Sequence, residues 1–131
     1  NVHGTFLGIQ ALAPIMRDNG AGSIVNVAST AALVGTAGYA AYSASKAAVL
    51  ALTRVAAMEF APTVRVNAIC PGGVATPMND HEPQGGSSSG TPLGRRADPS
   101  EISPLIEYLI TNKSSFVTGA SMTIDGGLTA G

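Results

Sequence analysis

The 131-residue chain is 45% hydrophobic and only 11% charged, with seven Lys and Arg against eight Asp and Glu for a net charge of -1. Ordinary soluble domains carry about 25% charged residues, so this composition excludes a disordered chain or a charge-laced coiled coil and reads as a buried, Ala/Gly-rich core. A near-neutral balance leaves no electrostatic footprint for nucleic acid or an anionic membrane, and small neutral molecules are the expected partners. No apolar run approaches the roughly 18 residues of a membrane span, and Asn1-Val2-His3-Gly4 does not read as a signal peptide. Cys70 is the single cysteine; it permits no internal disulfide, supports no zinc site and fits a reducing, cytoplasmic compartment.

In chain order, apolar residues at Val2, Phe6, Leu7, Ile9, Leu12, Ile15 and Met16 predict a helix, with a kink at Pro14 and a left-handed stop at Asp18-Asn19-Gly20. Because Asn1 leads straight into this pattern, the chain is expected to begin inside an element. Ile24-Val25-Asn26-Val27 is compact and β-branched and predicts a strand running into a loop at Ala28-Ser29-Thr30. From about Tyr39 to Phe60 the chain is rich in Ala, Leu and Met without Gly or Pro, which predicts one long helix ended by Ala61-Pro62. Val64 to Ile69 alternates into a second strand, stopped by Cys70-Pro71-Gly72-Gly73. The stretch from Thr76 to about Leu93 is polar, and its Gly85 to Gly90 run reads as a mobile loop, either a natural lid or an altered one.

Asp98-Pro99-Ser100-Glu101 then opens a helix as N-cap, first helical proline and capping-box glutamate, with Leu105, Ile106, Leu109 and Ile110 as its apolar stripe. Ser121 to Ile124 is a last short strand, closed by Asp125-Gly126-Gly127. Strands alternating with helices predict right-handed βαβ units and an α/β, Rossmann-like doubly wound parallel sheet covered on both faces. Such sheets bind ligands beyond the carboxyl ends of their strands, which directs attention to Ser29 and to the segment Pro71 to Thr76.

Tyr42 and Lys46 stand four apart in the long helix and share a face. A phenol of ordinary pKa about 10 handles protons poorly at neutral pH, and a nearby ammonium favours the phenolate and brings it toward the useful range. Taken singly, Tyr42 and Lys46 equally suit a surface pair, Ser29 a loop or cap serine, and Pro71-Gly72 a turn. Taken together, the three features converge on one edge of one sheet.

These residues resemble the short-chain dehydrogenase/reductase family. Ser23 to Ser29 looks like the family's strand bearing the catalytic serine, and Tyr42-Ser43-Ala44-Ser45-Lys46 like its Tyr-x-x-x-Lys motif. Arg65 to Gly72 with Thr76 resembles its nicotinamide-side segment, and Phe116 to Gly119 with Ile124 to Gly127 its carboxyl-terminal signature. Asn1 sits where the family places the asparagine of its catalytic tetrad.

The resemblance implies an oxidoreductase using NAD or NADP to interconvert a secondary alcohol and a ketone. It implies Tyr42 as general acid/base, Ser29 as holder of the substrate oxygen, and Lys46 on the nicotinamide ribose beside Tyr42. Asn1 would anchor a relay water, while Pro71, Gly72, Val74 and Thr76 would fix the carboxamide. A homo-dimer or homo-tetramer is implied for the full-length protein. Gly4 to Gly8 and Thr91 to Arg95 are similar to members acting on steroids and cyclic alcohols.

One part of the family pattern is missing. None of Gly20-Ala21-Gly22, Gly35-Thr36-Ala37-Gly38 or Gly85-Gly86 follows a predicted strand at G-x-G-x-x-G spacing, so no phosphate-binding turn is present. The expectation is a partial Rossmann-like domain over residues 1-131, the catalytic half of a chain about twice as long. By itself it should expose a sheet edge and apolar surface on its first helix, be poorly soluble or self-associate, and reduce no substrate. The competing reading is a truncated, inactive homologue serving as an oligomerisation or interaction module.

Overall fold

The computed structural model describes residues 1-79 and 90-131, so most of the expected lid, residues 80-89, lies outside the described residues. The described elements are helix α1 (Val2–Asp18), strand β1 (Gly22–Val27), helix α2 (Ala40–Phe60), strand β2 (Val64–Pro71), helix α3 (Pro99–Ile110) and strand β3 (Ser121–Ile124). Single 3-10 turns at Thr30–Ala32, Pro77–Asn79 and Asn112–Ser114 were not anticipated from the sequence. The strands are parallel in the order β1-β2-β3, with Gly22 opposite Val64, Val27 opposite Ile69, and Pro71 opposite Ile124.

The period of two along β2 sends alternate side chains to opposite faces of the sheet. Val64 and Val66 meet Ile9 and Ala13 of α1 and Ala56 and Ala57 of α2, while Ala68 and Cys70 meet Val49 and Leu50 of α2. On the other face Ile69, with Val25, Met122 and Ile124, packs against Ile102 and Leu109 of α3. Both faces are therefore covered, as the βαβ reading expects.

Local signals explain the element ends. Helix α1 continues through Pro14 and stops where Gly20 turns left-handed at φ +86°. Helix α3 begins at the expected capping box: Asp98 accepts from the Ser100 amide at 2.8 Å, and Glu101 accepts from the Asp98 amide at 2.8 Å.

Three expectations need correction, the first because β1 starts at Gly22 and not at Ile24. β2 does not stop at Ile69 but runs on through Cys70 and Pro71. The Ala68 and Gly72 amides point to β3, so Pro71 directs its missing N–H toward β1, which has already ended at Val27. A proline there forfeits no ladder bond. In α3, Ile110 is 52% exposed, and Ile102 joins the stripe in its place. Ile102, Leu105, Ile106 and Leu109 follow the i, i+3, i+4, i+7 pattern, and Ile110 falls at its margin. The outer surface of α1 carries exposed Phe6, Leu12 and Ile15.

Arg95 grips Glu101 with both guanidinium arms, at 2.7 and 2.8 Å. These bonds, aided by the Asp98 amide, hold the Glu101 carboxyl down to about 2 from its ordinary 4.5. A carboxyl whose folded pKa lies below its unfolded one contributes stability above the unfolded value and loses it as pH falls toward the folded value. Glu101→Gln is expected to unfold at lower urea than the parent above about pH 5, with the difference shrinking toward about pH 2. A difference independent of pH would remove the ion pair from the stability of this end of α3.

Candidate functional site

The carboxyl end of β1 is where the side chains converge. The carbonyl of Val27, the last residue of β1, accepts a hydrogen bond from Lys46 Nζ at 2.9 Å. One turn lower in sequence, Tyr42 stands 38% exposed near the start of α2, with the Lys46 ammonium 5.8 Å from its ring centroid. Tyr39, the residue before α2, meets the Tyr42 ring edge-on at 6.3 Å. Partial burial of Lys46 lowers its pKa from the ordinary lysine value.

A second tie holds α2 on β1. Asn26 Nδ2 donates to Thr53 Oγ1 at 2.9 Å, and that hydroxyl donates to the Val49 carbonyl at 2.8 Å. Thr53 is fully buried, so both capacities of its hydroxyl are met inside the protein, as burial of a polar group demands. With one clamp at Thr53 and another at Lys46, two turns apart, the helix can neither roll nor slide without breaking a bond. This fixes the direction in which the Tyr42 turn faces.

Ser29 leaves the same strand end two residues past Val27. It is extended, at φ -171°, and caps the Thr30–Ala32 turn, with Oγ accepting from the Ala31 amide at 3.2 Å. The cap role thus exists beside any catalytic one, since the hydroxyl's own proton has no acceptor among the described residues. Behind it lies Cys70, fully buried, with the Ser29 backbone N–H directed at its thiol. Burial pushes the Cys70 thiol up, and that amide only partly offsets the effect.

Asn1 reaches the site from α1: its Nδ2 donates to Ser45 Oγ at 2.9 Å, and Ser45 donates to the Tyr42 carbonyl at 2.7 Å. Asn1, Tyr42 and Lys46 are thereby gathered by α1, α2 and β1. Ser29 shares the strand end with them, although no hydrogen bond joins it to Tyr42 among the described residues.

The remaining expected residues continue from the neighbouring strand β2. The Gly72 amide donates to the Ile124 carbonyl at 3.1 Å, and a Cβ on Gly72 would stand 2.9 Å from Asp125 Cα. Only glycine allows β2 and β3 to close this tightly at their carboxyl ends. Val74 forms an isolated parallel bridge with Ala97, and the Ala97 amide and carbonyl engage Gly73 and Ala75. Thr76 Oγ1 donates to Asn79 Oδ1 at 3.2 Å, while Asn79 Nδ2 donates to the Val74 carbonyl at 3.0 Å.

Sequence reasoning missed Ser45, Thr53 and Asn79. Asn26, a polar residue within a β-branched strand, was the available signal for the Thr53 tie. A shallow cavity of about 290 Å³ opens beside the Thr30–Ala32 turn against Ser43, Ala44 and Ala47. Among the described residues no cluster of His, Cys, Asp and Glu could hold a metal.

Comparison with known proteins bears on the family and the fold. The profile of the enoyl-(acyl carrier protein) reductase family matches residues 1–129. The 3-alpha-(or 20-beta)-hydroxysteroid dehydrogenase of Mycobacterium tuberculosis is 46% identical over 132 residues, covering 100% of this chain and 50% of the relative. The trans-4-hydroxycyclohexanecarboxylate dehydrogenase of Sinomonas cyclohexanicum is 48% identical over 129 residues, covering 98% of this chain and 49% of the relative. A solved short chain dehydrogenase/reductase family protein superposes with a TM-score of 0.92 at 40% identity, over 99% of this chain and 55% of the other. A crystal structure of levodione reductase gives 0.90 at 32% identity, over 98% and 55%.

The chain belongs to the short-chain dehydrogenase/reductase family. It spans about half the length of the curated relatives it matches.

The position of Cys70 yields a direct check on the packing beneath Ser29. A buried thiol with a raised pKa reacts only when the structure opens. A thiol-specific reagent at neutral pH is expected to label Cys70 no faster than hydrogen exchange at the β2 amides. Labelling at the rate of a free thiol in the folded protein would contradict the burial.

Proposed function

We propose that this chain is the catalytic half of an NAD- or NADP-dependent oxidoreductase that interconverts a secondary alcohol and a ketone. The observation that carries the reading is the bond from Lys46 to the Val27 carbonyl, which sets an ammonium beside Tyr42 at the carboxyl end of β1. An interaction module has no use for a half-buried lysine tied to a strand end that also presents Ser29, with a phenol one turn away.

Tyr42 acts as general acid/base, giving its proton to the carbonyl oxygen in reduction and taking one from the alcohol in oxidation. Ser29 donates its free hydroxyl proton to the same substrate oxygen and steadies the charge that develops there. Lys46 stabilises the charge left on Tyr42 when its proton departs. Asn1 holds the water through which that proton is replaced.

The donor set fits the nicotinamide-ribose half of a dinucleotide. Lys46 and Tyr42 would take the ribose hydroxyls. Main-chain groups at Pro71, Gly72 and Val74, with Thr76 once its hydroxyl turns from Asn79, would take the carboxamide. The dinucleotide, when bound, supplies or accepts the hydride. Among the described residues nothing provides the phosphate half: β1 leads into a single 3-10 turn and β2 into the segment that carries the Pro77–Asn79 turn, neither directly into the α-helix N-terminus that a pyrophosphate needs.

The names of the hydroxysteroid and hydroxycyclohexanecarboxylate relatives support a cyclic secondary alcohol as substrate. Exposed Phe6 and Ile15 on α1, with Val55 and Met58 on α2, support a homo-oligomer of the full-length protein built on these helices. The lone, reduced Cys70 goes with a cytoplasmic setting.

Tyr42→Phe in the full-length protein is expected to lower turnover by about a hundredfold to ten thousandfold, the usual contribution of a positioned acid/base. Dinucleotide binding, followed by fluorescence titration, should change little. Turnover at the parental rate would exclude Tyr42 from proton transfer.

A further inference from the structure

Asn1 stands at the N-cap of α1, where an asparagine side chain ordinarily accepts a backbone N–H of its own first turn. It makes no such bond. Its carboxamide instead reaches across to the other helix and donates through Nδ2 to Ser45 Oγ at 2.9 Å. The main-chain carbonyl of Asn1 serves α1 by accepting from the Thr5 amide at 3.1 Å. The side chain has therefore given up the local bond in favour of one 44 residues away.

Ser45 is equipped to receive it in one sense only. A serine hydroxyl has a single proton, and here that proton goes to the Tyr42 carbonyl at 2.7 Å. The oxygen is left with lone pairs, so it meets the Asn1 carboxamide through its NH2 end and turns Oδ1 away. Because Ser45 lies between Tyr42 and Lys46, the orientation of Asn1 is tied to the helical turn that carries both.

A serine on a helix surface gives the helix nothing by itself. Alanine is the better helix former, and a hydroxyl bonded back to the preceding turn slightly destabilises the helix. We propose that Ser45 is a positioning residue for the alcohol–ketone chemistry, acting through the carboxamide of Asn1 without touching the substrate. This rests on the catalytic reading of Tyr42, Lys46, Ser29 and Asn1 above.

The test uses the full-length protein and steady-state kinetics for alcohol and dinucleotide across pH, with melting temperature as the fold control. Ser45→Ala is expected to lower kcat about tenfold, the rate equivalent of one lost positioning hydrogen bond. KM for the dinucleotide should stay close to parental and the melting temperature should hold or rise. Ser45→Thr, which keeps the hydroxyl, should restore most of kcat. Asn1→Asp, which keeps the shape but removes the donor, should match Ser45→Ala.

In a double-mutant cycle, Ser45→Ala should add little to Asn1→Ala, because the two residues act as one unit. Parental kcat in Ser45→Ala, equal kcat in the Ala and Thr variants, or losses that multiply with Asn1→Ala would each overturn the proposal. Tyr42→Phe run alongside separates the two failures. An active Tyr42→Phe protein sinks the catalytic reading itself, whereas an inactive one beside a fully active Ser45→Ala protein sinks only the role of Ser45.

Discussion

The bond between the Lys46 ammonium and the Val27 carbonyl is the constraint on which the site depends. The even-numbered backbone groups from Gly22 to Ala28 face β2, so the Val27 carbonyl faces the opposite edge of β1, and a lysine one turn past Tyr42 supplies its partner. Burial disfavours the charged ammonium and lowers its pKa, so the cation remains only where an acceptor meets it. The Asn26–Thr53 tie, two turns further along α2, stops the helix from rolling about that single contact. Together they convert a four-residue spacing, common on any helix, into a fixed direction for Tyr42.

The central strand β2 organises the rest by polar as well as apolar means. Asn67 is fully buried, donating to the Val117 carbonyl at 2.9 Å and accepting from the Ala120 amide at 3.0 Å. Arg65 reaches Ser114 Oγ at 2.8 Å and the Thr111 carbonyl at 3.0 Å. Unsatisfied, such groups would cost about 1–3 kcal/mol each; satisfied, they hold the connection from α3 to β3 against β2. That places Asp125 against Gly72, and the two strands end in register beside the site. The apolar side chains of β2 meanwhile seat α1 and α2 on one face and α3 on the other.

Much of this was legible in the chain itself. Periodicity located the six main elements, and the capping box at Asp98 marked its helix start to the residue, because each rests on contacts between near neighbours. The extension of β2 through Pro71 was not legible, since a proline ends a strand unless its partner on that side has already departed. Ser45 and Thr53 were equally hidden: a hydroxyl on an Ala-rich helix carries no sign of the Asn1 or Asn26 that will meet it. Tyr42 and Lys46 were visible only as a spacing, and it was the end of β1, brought to them by tertiary packing, that made the spacing a candidate site. The roles assigned to Ser29 and Asn1 came from resemblance rather than from any local pattern.

In the proposed chemistry Lys46 does two jobs at once, holding α2 to β1 and lending its charge to Tyr42. Lys46→Met keeps much of the length and apolar stem while removing the ammonium. Measured in the full-length protein, its turnover is predicted to fall by at least about a hundredfold, with weakened dinucleotide binding and a modest loss of melting temperature. A Lys46→Met protein that turns over and binds dinucleotide like its parent would contradict this double role of Lys46.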